Sequence, residues 1–232
     1  MVFLEKVGPL SNDREKFRMC GGTIIDRFYV LTAATCIEKN EISMLRIGGA
    51  IHDRTSEEEQ INNRQLRYAA GVHIHPAFKN GNESNFNVAL IRVDAAFKYN
   101  SFLQPICLFH EDIGKINDFI MLGWGKEKLD GPMRNTLKQV DLSLIMNCKK
   151  QWPFFDQKRH VCAKSMDGDG YACDGDVGGP LLYNKSGQFV IAGVYSHGFS
   201  CSNAADEKLP IIFTRISAFI NWIRPIVQSE KS

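Results

Sequence analysis

Cys20-Gly21-Gly22-Thr23-Ile24-Ile25-Asp26-Arg27-Phe28-Tyr29-Val30-Leu31-Thr32-Ala33-Ala34-Thr35-Cys36 is the stretch whose reading decides the fold. Two cysteines bracket a largely apolar run. The remaining cysteines, Cys107, Cys148, Cys162, Cys173 and Cys201, are scattered along the chain. None forms a CxxC pair, which argues against a zinc ribbon or a redox motif. Spacings of tens of residues suit disulfides that close loops, and such disulfides point to an oxidising, extracellular setting. Reduced core cysteines in a cytosolic protein are the alternative. Because the total is 7, one thiol is left unpaired within the chain.

Outward from this stretch the periodic signal is β. Met44-Leu45-Arg46-Ile47, Val88 to Val93 and Phe189 to Val194 are short apolar segments bounded by Gly, Asn or Asp. Turn signals recur at Lys79-Asn80-Gly81-Asn82, Leu129-Asp130-Gly131-Pro132 and Asn184-Lys185-Ser186-Gly187. Many short strands at this spacing predict a sandwich or barrel. One segment differs: Ile216, Phe219, Ile220, Ile223 and Val227 recur at helical spacing, which predicts a helix over about 217–228 with Ser217 as its cap and Pro225 bending it.

Composition narrows the class. With 232 residues, 44% hydrophobic and 23% charged, the chain is an ordinary globular protein. A net charge of +2 is too small to imply nucleic acid or a membrane surface as partner. No apolar run reaches the roughly 18 residues of a membrane span. Met1-Val2-Phe3-Leu4 runs into Glu5-Lys6, too short for a signal sequence. A leader already removed, or a fragment of a longer precursor, is therefore expected.

The segment Cys20 to Cys36 resembles the C-G-G-[ST]-L-I…W-V-L-T-A-A-H-C motif of trypsin-like serine proteases. His75-Pro76-Ala77-Phe78, Asn87-Val88-Ala89-Leu90-Ile91, Pro105-Ile106-Cys107-Leu108, Gly123-Trp124-Gly125, Gly175-Asp176-Val177-Gly178-Gly179-Pro180, Ile212-Phe213-Thr214-Arg215 and Trp222-Ile223 are similar to that family's later motifs, in the same order. The resemblance implies an all-β fold of two antiparallel six-stranded barrels with a C-terminal helix. It places one barrel at about 1–105 and the other at about 106–215, with the activation segment missing upstream of residue 1.

The departures fall where the family does chemistry. The resemblance assigns the triad to Thr35, Asn87 and Val177, in place of histidine, aspartate and serine. Valine has no nucleophilic atom, threonine is no base near pH 7, and asparagine carries no charge. Losing nucleophile or base alone costs on the order of a millionfold in turnover in one well-studied hydrolase. No catalytic residue is therefore expected. Ser196 and His197 are adjacent, and neighbours on a strand point to opposite faces, so they are not expected to pair as nucleophile and base. The remaining histidines, His52, His73, His75, His110 and His160, fall in segments that map away from the cleft. Ser56 to Gln60 reads as a solvated acidic loop and not as a calcium site; no metal and no cofactor are expected.

The same resemblance puts Tyr171 on the floor of the specificity pocket and Ile211 and Gly198 on its walls, so the pocket is expected to be filled. Gly175 and the backbone N–H of Val177 would keep a remnant of the oxyanion hole. Disulfides Cys20–Cys36, Cys148–Cys162 and Cys173–Cys201 are implied. Cys107 remains, either as a buried free thiol or as a link to an upstream domain or chain.

The sequence is similar in texture to arthropod members of the family. Inactive homologues there include cofactors of insect immune cascades, often of the clip type, and mite paralogues that interfere with complement. These imply a secreted binding protein with an extracellular protein partner from a cascade or complement, and no nucleic-acid or membrane partner. The rival readings are a hydrolase using non-family residues and a polyanion-binding module. Between Cys148 and Cys162, Lys150, Trp152, Phe154, Phe155, Lys158 and Arg159 interleave basic and aromatic groups, which makes this loop the candidate partner site.

Overall fold

Short strands separated by turns close into two barrels. The computed structural model describes residues 1–7, 20–79, 81, 85–114, 116–128, 130–166, 172–198 and 209–229. In the first half, β1 (Val2–Lys6), β2 (Cys20–Asp26), β3 (Tyr29–Thr32), β4 (Leu45–Gly49), β5 (Gln65–Ile74) and β6 (Ala89–Val93) form a closed ring in the order β1-β2-β3-β6-β5-β4. Closure depends on β5. It pairs with β4 through Gln65–Tyr68 and with β6 from Ala69 onward, and the register shifts between Ala69 and Gly71. That bulge bends one strand around the barrel corner.

The second half repeats the design. A two-residue strand, β7 (Cys107–Leu108), precedes β8 (Phe119–Gly123), β9 (Lys138–Ile145), β10 (His160–Ser165), β11 (Pro180–Lys185), β12 (Gln188–His197) and β13 (Ile211–Arg215). The ring runs β11-β8-β9-β10-β13-β12 and closes through pairing of β11 with β12, while β7 adds to β12 in parallel. Each barrel has its own apolar interior. Val2, Leu4, Val30, Ile47 and Ile91 fill the first; Phe119, Leu142, Val161, Leu181 and Phe213 fill the second.

A third apolar cluster joins them. Tyr29, Leu31, Val88 and Leu90 of the first barrel meet Leu182, Ile191 and Val194 of the second, together with Ile216, Phe219, Ile220 and Ile223. The last of these lie on α2 (Ile220–Gln228), which follows α1 (Glu57–Asn62) as the chain's second α-helix among the described residues. The expected helix start is corrected here. Ser217 lies in a 3-10 turn spanning Ile216–Ala218, and Phe219, with φ −116° and no capping side chain, is the residue before α2. Packing of the apolar stripe, and not capping, docks this helix. Pro225 sits within it.

The barrels meet at one point glycine on glycine. The Gly21 N–H donates to the Val177 carbonyl oxygen at 2.7 Å. A Cβ on Gly21 would lie 2.7 Å from the Gly179 Cα, and one on Gly178 would lie 2.3 Å from the Thr32 Oγ1. Gly178 also has φ +85°, a conformation that a side chain opposes.

Asp176 anchors the segment that makes this contact. Its side chain is 3% exposed and accepts N–H bonds from Gly125 at 2.7 Å and Cys173 at 3.0 Å. Among the described residues it has no ion-pair partner, although the field of Arg134 favours its charge. Desolvation dominates and pushes its pKa up from 3.8 to about 6. The folded chain thus holds a proton between these values that the unfolded chain has lost. This group's contribution to stability therefore increases as pH falls through 6 and levels off below 3.8. Relative to Asp176→Asn, wild type is predicted to gain about 3 kcal/mol between pH 7.5 and pH 3.5, read from urea unfolding across that range. A difference between the two proteins that does not change with pH would contradict the assignment.

Candidate active-site cleft

Residues from both barrels converge beside the glycine contact. Thr35 lies in a 3-10 turn, Ala34–Cys36, that follows β3 and is tied to β2 by the Cys20–Cys36 disulfide. Asn87 precedes β6 and is fully buried. Ser196 and His197 end β12, and Val177 follows the buried Asp176. The structure therefore brings together Thr35, Asn87 and Val177, which are far apart in sequence.

Both ends of the Asn87 amide are hydrogen-bonded. Its Oδ1 accepts the Thr35 N–H at 2.9 Å. Its Nδ2 donates to the Ser196 Oγ at 2.9 Å and to the Thr35 Oγ1 at 3.3 Å. The Thr214 hydroxyl donates to the Asn87 carbonyl oxygen at 2.9 Å. The one titratable group of the network is His197; burial lowers its pKa from the ordinary value, so the ring is uncharged at pH 7 and the network is neutral.

One expectation fails here. Ser196 and His197 do not point apart: the Ser196 Oγ lies 2.7 Å from the His197 Nδ1. The register of β12 against β13 shifts between Tyr195 and His197. A bulge at Ser196 suspends the two-residue alternation on which the expectation rested. Two other histidines pack on aromatic rings. His75 stacks on Phe86, the neighbour of Asn87, at 4.9 Å, and the Phe154 ring stands 5.8 Å from His160 and 5.2 Å from His197.

Val177 is half-buried and packs against all three apolar clusters. Its isopropyl group thus fills the junction of the two barrels. On either side of it the backbone keeps a tight turn, with φ +96° at Gly175. Among the described residues the N–H groups of Gly175 and Val177 donate to no acceptor. The Met133 methyl lies where a Cβ of Gly175 would be, 1.9 Å away from that position.

At the expected pocket, Tyr171 lies outside the described residues, while Ile211 is 4% exposed. The residue that sequence reasoning missed is Tyr195. Its hydroxyl would be 2.1 Å from a Cβ placed on Gly198, and the Ile211 methyl would be 3.4 Å from it. The tyrosine thus occupies the space between the two wall positions. Burial, helped by the charges of Asp176 and Asp174, keeps its hydroxyl protonated. An aromatic residue beside Ser196, on a strand that borders the cleft, was the available signal.

The candidate partner loop divides. Phe155 is 5% exposed and packs on Cys148, Cys162 and Ile212, so it is not a free anchor. Trp152 is half-buried, with its Nε1 donating to the Pro210 carbonyl oxygen at 3.0 Å, and Phe154 stands beside it. Arg159 pairs with Asp156 and covers the Phe86 ring at 4.9 Å. Lys150 and Lys158 are exposed. The loop's ends are joined by the Cys148–Cys162 disulfide. Cys173 is also disulfide-bonded, and its expected partner Cys201 lies outside the described residues. Cys107 is free and exposed, which corrects the buried alternative. At Ser56 to Gln60, Ser56 caps α1 and Glu59 accepts the Asp53 N–H at 3.0 Å. No cluster fit for a metal ion occurs among the described residues.

The Trypsin family model matches residues 7–223. The chain is 30% identical to the clotting factor G beta subunit of Tachypleus tridentatus over 97% of its own length and 74% of that protein. It is 31% identical to venom serine protease Bi-VSP of Bombus ignitus over 95% of its length, and 28% identical to ovochymase-2 of Mus musculus over 95%. It spans 62% and 38% of those two relatives. Two antiparallel barrels, a C-terminal helix and motif order that agrees with these matches lead to one assignment: the chain belongs to the trypsin family of serine proteases.

Proposed function

We propose that this chain is a secreted, non-catalytic member of its family that acts as a binding or regulatory protein in an extracellular defence or protease cascade. The observation that carries the reading is Val177, an aliphatic side chain packed against three apolar clusters where the family motif has its nucleophile. Thr35 and Asn87, at the positions of base and orienting carboxylate, are bonded to each other and hold no charge. Tyr195 supports the expectation of a filled specificity pocket. The disulfides support an oxidising compartment. The cascade role draws on the relatives named as a clotting factor subunit and a venom protease.

A second reading follows from one distance: the Ser196 Oγ and the His197 Nδ1, 2.7 Å apart, have the separation of a nucleophile and its base. Against it, Ser196 is 5% exposed and its Oγ is engaged by the Asn87 amide.

A fluorophosphonate probe separates the two. No covalent labelling of the wild-type protein is expected, and labelling of Ser196 would establish the second reading. Val177→Ser alone is expected to stay about a millionfold below an active relative in turnover, because no base or carboxylate faces the new hydroxyl. Measurable turnover in that variant would mean that a base has been overlooked.

A further inference from the structure

An open groove of about 670 Å3 runs along the second barrel, lined by Asp112, Met146, Lys149, Phe155, Lys158 and Arg215 among others. It continues into a hollow of about 250 Å3 that adds Leu144 and Ile145. Phe155 and Lys158 bring the candidate partner loop to its rim, whereas the cleft residues Thr35, Asn87 and Val177 do not line it.

Arg215, at the end of β13, is the centre of the site. Its backbone N–H donates to the Arg159 carbonyl oxygen, and its Nε donates to the His160 carbonyl oxygen at 3.3 Å. The side chain is only 14% exposed, yet its nearest carboxylate oxygen, on the 90% exposed Asp112, is 4.0 Å away. Among the described residues, the N–H groups of Nη1 and Nη2 make no hydrogen bond. A guanidinium presents these donors in a fixed fork that fits a carboxylate. Burial lowers its pKa from the ordinary value, and the charge of Asp112 only partly opposes that shift. The other groove charges leave a cationic excess. Asp156 is held by Arg159 at 2.6 Å and by the Lys158 N–H at 2.9 Å, whereas Lys149 and Lys158 are exposed and make no ion pair among the described residues.

The walls are not purely cationic. Met146 is 54% exposed beside the half-buried Leu144 and Ile145. A sulfated polysaccharide would use the cations and leave this surface uncovered. A peptide would use both, since a methionine adapts its shape to an incoming apolar side chain. We propose that this groove binds an acidic peptide segment of a partner protein, with a carboxylate on Arg215 and a neighbouring apolar side chain against Met146. This rests on the reading of the chain as a binding protein.

The test is fluorescence anisotropy with a short fluorescein-labelled peptide of alternating Glu and Leu, against a control in which every Leu is Ser, and against a heparin oligosaccharide. Saturable binding of the Glu/Leu peptide is expected, weakened at least about tenfold by Arg215→Gln and by Met146→Glu, and at least about tenfold for the Ser control. Met146→Glu and Lys158→Glu alter exposed side chains and carry the test if Arg215→Gln does not fold. Equal binding of the Ser control, preferential binding of heparin, or insensitivity to the folded variants would each overturn the proposal. Chromatography of the recovered peptide keeps the two readings apart. Cleavage would sink the non-catalytic reading whether or not the groove binds, while an intact peptide that does not bind sinks the groove alone.

Discussion

The backbone contact of Gly21 with Val177–Gly179 is the constraint on which the rest of the molecule depends. One N–H···O bond of 2.7 Å and two glycines without room for a side chain set the distance between the barrels. That distance places Asn87, from one barrel, against Ser196 from the other, and Cys36, beside Thr35, against the Val177 carbonyl oxygen. It also forms the third apolar cluster, since Leu31 and Leu90 reach Leu182 and Val194 only at this separation. Asp176 holds the second barrel's side of the contact, and its own burial makes that hold dependent on pH.

The chemistry that such a frame supports is set by the groups placed in it. A carboxylate at position 87 would offer only acceptors, and a hydroxyl at 196 would have to donate to it. The amide of Asn87 donates to the Ser196 Oγ instead, and the same Oγ lies 2.7 Å from the His197 Nδ1. The resulting chain is neutral, with Asn87 and Ser196 buried and His197 half-buried. On the proposed reading, the frame is retained because loops and grooves around it need rigid supports, and a binding surface with pre-ordered ends loses less entropy on association. The Cys148–Cys162 disulfide supplies such ends to the loop that borders both the cleft and the Arg215 groove.

Much of this was legible in the sequence. Cysteines bracketing an apolar run, and glycine-containing motifs in a fixed order, carried the barrels through the family resemblance they support, whereas the strand pattern alone left a sandwich or a barrel open. The strands at Leu45, Ala89 and Gln188 followed from short apolar runs bounded by turn residues. Three things were not legible. The bulge at Ser196 breaks the very periodicity used to orient side chains, so Ser196 and His197 were expected apart. Phe155 lies in a basic, aromatic loop that looks like surface, and only the tertiary fold shows it turned onto the Cys148–Cys162 disulfide. The Arg215 groove joins residues from separate loops and strands, and no local pattern records that meeting.

On the proposed reading, a trypsin-family frame is held together here around a centre that does no hydrolysis. The most direct test is steady-state hydrolysis of a diverse fluorogenic peptide library by the purified secreted protein, run in parallel with Ser196→Ala. The account predicts rates for the two proteins that match each other and the buffer background. Turnover by the wild-type protein that disappears in Ser196→Ala would contradict it and make the bulged serine a nucleophile.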